Sequence, residues 1–69
     1  MLAQSRVVAR GKRIRDVERL VRSRGGKPSI WVKKASPSFK MAGQTYEYHW
    51  YECRGIGRVE VKRKRVDIR

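Results

Sequence analysis

Apolar residues first recur at helical spacing in the N-terminal part of the chain. The positions three to four residues apart are Ile14, Val17, Leu20 and Val21. Such a narrow apolar stripe is typical of a helix that packs one side against a core. Gly25 and Gly26, with Pro28 just beyond, form a stop signal, so the pattern predicts a helix over residues 12–24. Residues 1–10 fit the start of a helix, a short strand or a disordered segment.

After Pro28 the hydrophobic pattern changes to the alternation typical of β-strands. Four segments show it, at 29–34, 38–42, 45–52 and 58–64. They predict an antiparallel sheet within residues 29–66. The fold class expected is therefore α+β, as a single domain of residues 1–69. In this fold one main N-terminal helix packs on a three- to four-stranded antiparallel sheet and leaves one basic face of that sheet open.

Alternation also predicts which side chains share a face of the sheet. One set is expected against the helix: Ile30, Val32, Tyr48, Trp50, Val59 and Val61. The opposite set is expected on the open face: Trp31, Lys33, Glu47, His49, Tyr51, Arg58, Glu60 and Lys62. This choice buries the valines, which a one-residue shift of the strands would expose.

The charge of the chain narrows the classes of partner. Its 69 residues include 19 Lys and Arg against 6 Asp and Glu, which gives a formal net charge of +13. Such a charge attracts polyanions. Arg outnumbers Lys, which favours nucleic acid because a guanidinium binds phosphate through two hydrogen bonds and stacks on bases. An acidic protein and an anionic membrane surface are the weaker alternatives.

The scarcity of Cys and His excludes several kinds of site. One Cys cannot form an intramolecular disulfide, and one Cys with one His cannot build a zinc cluster, so we expect no metal and no cofactor. No apolar run approaches the ~20 residues of a membrane helix, and the N-terminus lacks the apolar core of a signal peptide. We therefore expect a cytoplasmic site of action, either in the producing cell or after delivery into a target cell, and no membrane partner.

The predicted open face carries groups suited to RNA cleavage without a metal. Histidine is the side chain whose ordinary charge change falls near neutral pH, so His49 is the candidate to transfer protons to or from the reacting oxygens of RNA. Glu47 or Glu60 would be its partner, and Lys62 would stabilise the charge of the transition state. The residues expected to bind nucleic acid are Trp31, Lys33, Lys34, Tyr51, Arg54, Arg58 and Lys64. In the alternative interpretation the same face binds nucleic acid without cutting it, as in a protein of a phage or mobile element.

Four short motifs resemble a known group of domains. In chain order they are Gly-Gly-Lys-Pro (25–28), Trp-Val-Lys-Lys (31–34), His-Trp-Tyr-Glu (49–52) and Gly-x-Val-Glu-x-Lys-x-Lys (57–64). Over roughly residues 11–64 the chain resembles the small C-terminal toxin domains of bacterial polymorphic toxins, of the contact-dependent inhibition and Rhs kinds. Domains of that kind are similar to the barnase, colicin and RelE group of metal-independent ribonucleases.

This resemblance implies helices followed by a four-stranded antiparallel sheet, RNA such as tRNA as substrate, and an acidic immunity protein as partner. It implies that His49 is the catalytic acid or base, that Glu52 and Glu60 are motif carboxylates, and that Lys62 binds phosphate. A regular strand would place His49 and Glu52 on opposite faces, so either a bulge intervenes or Glu52 is not catalytic. The function expected is that of a small RNA-binding toxin, a metal-independent endoribonuclease that uses His49.

Overall fold

One long strand, rich in aromatic residues, is the centre of a five-stranded antiparallel sheet. The computed structural model describes residues 4–66. The strands are β1 (Arg6–Arg10), β2 (Trp31–Ala35), β3 (Phe39–Met41), β4 (Gln44–Cys53) and β5 (Gly57–Arg65). The helix α1 (Val17–Arg24) lies between β1 and β2 in the chain and is flanked by two short 3₁₀ turns, Gly11–Arg13 and Pro28–Ile30.

The central strand β4 forms hydrogen bonds along both of its edges. β2 and β3 lie end to end on one edge, and β5 runs along the other. β1 pairs with the outer edge of β2. The break between β2 and β3 falls at Pro37, which has no backbone N–H and cannot continue a hydrogen-bonded ladder.

The fold predicted from the sequence is wrong in its sheet and in the extent of its helix. The sheet has five strands instead of three or four, and β1 precedes the helix. β1 occupies residues 6–10 and lies within the segment 1–10, for which disorder is one of the expectations. Residues 1–3 of that segment lie outside the described residues. The helix begins at Val17 instead of residue 12, because Gly11 has a φ of 54° and Ile14 is extended.

The core lies between α1 and one face of the sheet, which we call the inner face. Its buried residues are Ile14, Val17, Leu20, Trp31 and Cys53, with Ala9, Val21, Tyr51 and Val59 packed against them. Trp31 is fully buried, and its Nε1 donates a hydrogen bond to the carbonyl oxygen of Gly25 at 3.0 Å. The indole ring therefore joins the sheet to the end of the helix.

The helix covers the opposite face from the one predicted. Trp31 and Tyr51 point towards α1, whereas Tyr48 and Trp50 point to the other side, which we call the outer face. Two physical reasons favour this arrangement. The Trp31 ring buries more apolar area than the side chains of its strand neighbours, and the helix end supplies the acceptor that its N–H requires. The prediction of one open basic face carrying His49 is therefore wrong.

A β-bulge in β5 interrupts the predicted alternation of side chains between the two faces. Glu60 has a φ of 55°, and the pairing register shifts between β4 residues His49 and Tyr51. A residue in the left-handed region is typical of one kind of bulge. As a result Val59 packs on the core while Val61 is 55% exposed. The two valines that the sequence pattern places on one face lie on different faces.

Candidate nucleic-acid interface

Beside the helix, the inner face carries a cleft lined by five cationic side chains. The cleft has a volume of about 460 Å³. Its cations, which define what we call the basic cleft, are Arg13, Arg15, Lys33, Lys62 and Lys64. Tyr51 also lines it, and its remaining walls are Val8, Ala9, Ile14 and Asp16. Three segments distant in sequence therefore bring positive charge to one concave surface.

Strand pairing explains how the three lysines reach this cleft. Lys33 on β2 pairs with Tyr51 on β4, so both side chains lie on the inner face. Lys62 pairs with His49, two residues along β4. Lys64 follows at the next inward position of β5. Because of the bulge in β5, Lys62 and Lys64 point to the inner face, on which Val59 also lies.

The two arginines come from the segment that leads into the helix. Arg13 and Arg15 flank Ile14, whose side chain is buried in the core. Both arginines are exposed, and both line the cleft opposite the sheet. The sequence interpretation did not identify them as site residues, because in the predicted helix they belong to a basic surface that looks uniform. The signal that could have identified them is the glycine at position 11, which ends β1 and turns this segment across the sheet.

The acidic groups nearest the basic cleft pair with Arg19, which is not one of the cleft cations. Glu60 accepts hydrogen bonds from both terminal nitrogens of Arg19, at 2.8 and 2.9 Å, and Asp16 lies 3.7 Å from the same guanidinium. The bonds from Arg19 outweigh burial and lower the pKa of Glu60, so this carboxylate stays ionised. Among residues 4–66, none of the five cleft cations forms an ion pair.

Tyr51 supplies a neutral hydroxyl in the cleft. Burial, together with the negative charges of Asp16 and Glu60, raises the pKa of this phenol above its usual value of 10.0. The hydroxyl therefore keeps its proton at neutral pH and can donate a hydrogen bond to an anion. Its ring also packs against the core, which fixes its position.

His49 lies on the same face and forms a pair with Glu47. Its Nε2 is 3.1 Å from Glu47 Oε1, and since an ionised carboxylate only accepts hydrogen bonds, Nε2 is the donor. Its other ring nitrogen, Nδ1, is buried and has no hydrogen-bond partner among the described residues. In this conformation neither nitrogen is free to exchange a proton with a bound molecule.

Glu47 is held by two further hydrogen bonds. Arg6 donates to Oε1 at 2.9 Å and Ser38 donates to Oε2 at 2.9 Å. Burial raises the pKa of Glu47, but the bonds from Arg6, His49 and Ser38 outweigh it and leave the pKa below the usual 4.5. Glu47 therefore orients His49 and ties β1 to β4, and its oxygens have little capacity left for another ligand.

Four of the remaining predicted site residues lie away from His49. Trp31 is in the core. Three predicted cations line a separate groove on the other side of the sheet: Lys34, Arg54 and Arg58. The structure thus brings His49 together with Glu47, Glu60, Lys33, Tyr51, Lys62 and Lys64, and separates this group from the other four. Glu60 lines the same small pocket as His49, but both of its oxygens accept hydrogen bonds from Arg19.

Glu52 differs from the other predicted carboxylates because it lies on the outer face. It accepts hydrogen bonds from Trp50 Nε1 at 2.9 Å and from Lys34, whose Nζ is 3.0 Å away, while Arg58 lies at 3.5 Å. The bond from Trp50, followed by that from Lys34, outweighs burial and lowers the pKa of Glu52. His49 and Glu52 do lie on opposite faces, so Glu52 cannot assist His49.

Comparison of the chain with models of protein families, with curated proteins and with solved structures found no significant match. Within residues 4–66 no helix has the length and apolar character needed to cross a membrane.

Proposed function

We propose that this protein binds RNA and that the basic cleft holds the phosphate backbone. The observation that carries the proposal is the convergence on one concave surface of five cations that form no ion pair within residues 4–66. Each phosphate that such a cation neutralises releases counterions from the nucleic acid, which is the main source of binding free energy in complexes of this kind. Two of the five are arginines, whose guanidinium groups match the geometry of phosphate.

The arrangement of the lysines favours a linear polyanion over a small anion. Lys62 and Lys64 stand two residues apart on one strand, which separates their Cα atoms by about 7 Å. Arg13 and Arg15 stand across the cleft from them. A chain of phosphates lying in the cleft would meet cations on both walls, whereas a single small anion would meet only a few.

A second candidate function is cleavage of the bound RNA, with His49 as the proton-transfer group. One observation favours it: Lys33, Lys62 and Lys64 surround His49 in a small pocket that adjoins the basic cleft. Cleavage requires the imidazole to turn away from Glu47 so that Nε2 faces the substrate. Binding requires no such movement, and for this reason the geometry supports binding more strongly than cleavage.

Salt dependence tests the binding proposal. We expect the logarithm of the affinity for a short single-stranded RNA to fall linearly with the logarithm of salt concentration. Lys33→Gln and Lys62→Gln should each reduce the magnitude of that slope by about 0.7 per lost phosphate contact. The matched control is Lys40→Gln, an exposed lysine on β3 outside the cleft, with the same change in net charge. Equal effects of all three variants would show that binding follows overall charge and not the cleft. A DNA strand of the same sequence shows whether RNA is preferred.

Cleavage is tested by incubating total RNA with the purified chain in EDTA. If His49 transfers a proton, the wild-type chain cuts and His49→Ala does not. Intact RNA with both proteins, under salt conditions in which binding is measured, rules out the cleavage function. Cuts made by both proteins rule out His49 as the catalytic group.

A further inference from the structure

The outer face of the sheet carries aromatic rings that no described element covers. Tyr46, Tyr48 and Trp50 alternate along β4 and therefore point to this side. Antiparallel sheets that face water on one side normally carry polar residues there. A row of three aromatic residues on an uncovered face is therefore a feature that the proposed phosphate-binding cleft does not explain.

The three aromatic rings differ in how accessible they are to a ligand. The guanidinium carbon of Arg58 lies 5.5 Å from the centroid of the Trp50 ring, and Trp50 is only 3% exposed. The guanidinium carbon of Arg63 lies 4.6 Å from the centroid of the Tyr46 ring. Tyr48, between them, is 36% exposed. It is the ring that a ligand can reach.

Phe39 holds the Tyr48 ring from one side. The two centroids are 5.2 Å apart and the ring planes are inclined by 24°, which is a stacked arrangement. Phe39 also contacts Tyr46, at 6.0 Å, so the aromatic residues support one another. No further ring or guanidinium contact to Tyr48 is present in the part of the chain that the structure describes. Tyr48 is thus a fixed ring with an available face.

The charge around Tyr48 is positive. Arg63 pairs directly with Tyr48 across the strands, and Arg65 pairs with Tyr46. Neither arginine forms an ion pair with another described residue. The outer-face carboxylate of Glu52 is already bound by Trp50 and Lys34. Two copies of this face would bring Arg63 and Arg65 of one copy close to the same arginines of the other, which disfavours a second copy of the chain as the occupant.

We propose that the outer face is a second nucleic-acid surface, on which a base of a single strand stacks against Tyr48. A nucleobase has an aromatic face for the ring and is attached to a phosphate for the arginines, and such stacking does not depend on base identity. Bases within a duplex are stacked on each other and cannot be reached in this way, so the ligand is single-stranded.

The edge strand β5 connects this surface with the basic cleft. Its side chains alternate, so Lys62 and Lys64 face the cleft while Arg63 and Arg65 face outwards. β5 pairs only with β4, which leaves its other edge open among the described residues. A single strand that passes over this edge contacts lysines on one side and Tyr48 on the other. This inference rests on the proposed RNA binding and specifies the form of RNA.

Two ligands of equal charge test the inference. One is an oligouridylate, and the other is an abasic strand with the same number of phosphates. We expect the wild-type chain to bind the oligouridylate about tenfold more tightly than the abasic strand, since each base stacked on an aromatic ring contributes measurably to affinity. Equal affinity for the two ligands would overturn the stacking inference while leaving phosphate binding intact. Absence of salt-dependent binding to either ligand would overturn the proposed function itself.

Substitutions at Tyr48 locate the effect. Tyr48→Ala should remove the preference for the oligouridylate and leave affinity for the abasic strand unchanged, and Tyr48→Phe should retain it. The control is Ile56→Ala, which truncates another exposed apolar residue in the β4–β5 turn. If Tyr48→Ala reduced the affinity for the two ligands equally, the inference would be overturned. The inference would also be overturned if sedimentation showed that the free chain forms a dimer, and if Tyr48→Ala dissociated this dimer while oligouridylate did not. The comparison of the two ligands on the wild-type chain needs no variant and therefore stands even if Tyr48→Ala fails to fold.

Discussion

Glu47→Gln tests whether the most buried carboxylate of the sheet stabilises the fold through its charge. Glu47 is 8% exposed and binds three partners on three segments: Arg6 on β1, Ser38 before β3, and His49 two residues along its own strand. The substitution keeps the shape of the side chain and one acceptor oxygen but removes the negative charge. It should therefore weaken the attachment of β1 without creating a cavity.

The expected cost follows from the exposure of the partners. Hydrogen bonds to charged groups contribute about 1.5–3 kcal/mol to stability. The Arg6 side chain is 55% exposed, so water can hydrate its guanidinium when the charge of the carboxylate is lost. The amide oxygen of Gln still accepts one of the hydrogen bonds. We expect the free energy of unfolding at neutral pH to fall by about 1–2 kcal/mol, near the lower end of that range.

The dependence on pH separates a charge effect from a packing effect. Folding lowers the pKa of Glu47 below its usual 4.5, so the folded protein binds fewer protons at this site than the unfolded chain. The stabilisation is fully present above that value and is lost as the pH falls through the lowered pKa. In urea unfolding the difference between wild-type and Glu47→Gln proteins should therefore shrink as the pH falls below 4.5. The control is Glu18→Gln on the exposed side of α1. A constant difference across this range, or none at neutral pH, would refute the reasoning.

Two further substitutions test the packing around the buried indole. Gly26→Ala should cost roughly 1 kcal/mol more than Gly43→Ala, because a Cβ at Gly26 would lie 3.0 Å from Cys53 Sγ whereas nothing lies within 4 Å at Gly43, although both have similar positive φ values. Urea unfolding measures both, and equal losses would contradict the close packing. Trp31→Phe should reduce the free energy of unfolding by about 1–3 kcal/mol, because the Gly25 carbonyl oxygen loses its donor and part of the ring volume is lost. An unchanged urea midpoint for Trp31→Phe would show that the hydrogen bond does not stabilise the fold.

The sequence predicts the individual strands better than their arrangement. The alternating segments near 29–34, 38–42, 45–52 and 58–64 all contain strands. The strand at 6–10 is not specified by its own pattern, because Val7 and Val8 are adjacent and both remain exposed. Its place is set by β2, whose outer edge it covers, and by the ion pair between Arg6 and Glu47. Contacts of this kind join residues far apart in sequence, and local patterns carry no record of them.

The wrong choice of buried face comes from counting side chains instead of weighing their burial. Counting aliphatic side chains favours the face with Ile30 and Val32, but the free energy of burial depends on area and on satisfied polar groups. Trp31 offers the larger area, and the carbonyl of Gly25 satisfies its N–H. Ile30, which the prediction buries, lies in the 3₁₀ turn before β2 and is 43% exposed. The alternation of residues within the strand gives no information about the Gly25 carbonyl at the helix end, which helps to decide which face of the sheet is buried.

The candidate site remained together despite this error, for a reason that lies in strand geometry. Alternation determines which residues share a face whichever face the helix covers, so Lys33, His49 and Tyr51 stay neighbours after the inversion. The prediction fails only where the alternation itself is broken or misjudged. The bulge at Glu60 separates Arg58 from Lys62, and a strict period of two would have placed them together. The inversion also changes the chemistry, because the cations that an open sheet would spread over a flat surface instead face Arg13 and Arg15 across a cleft. This second wall brings more cations to one ligand than the flat surface would.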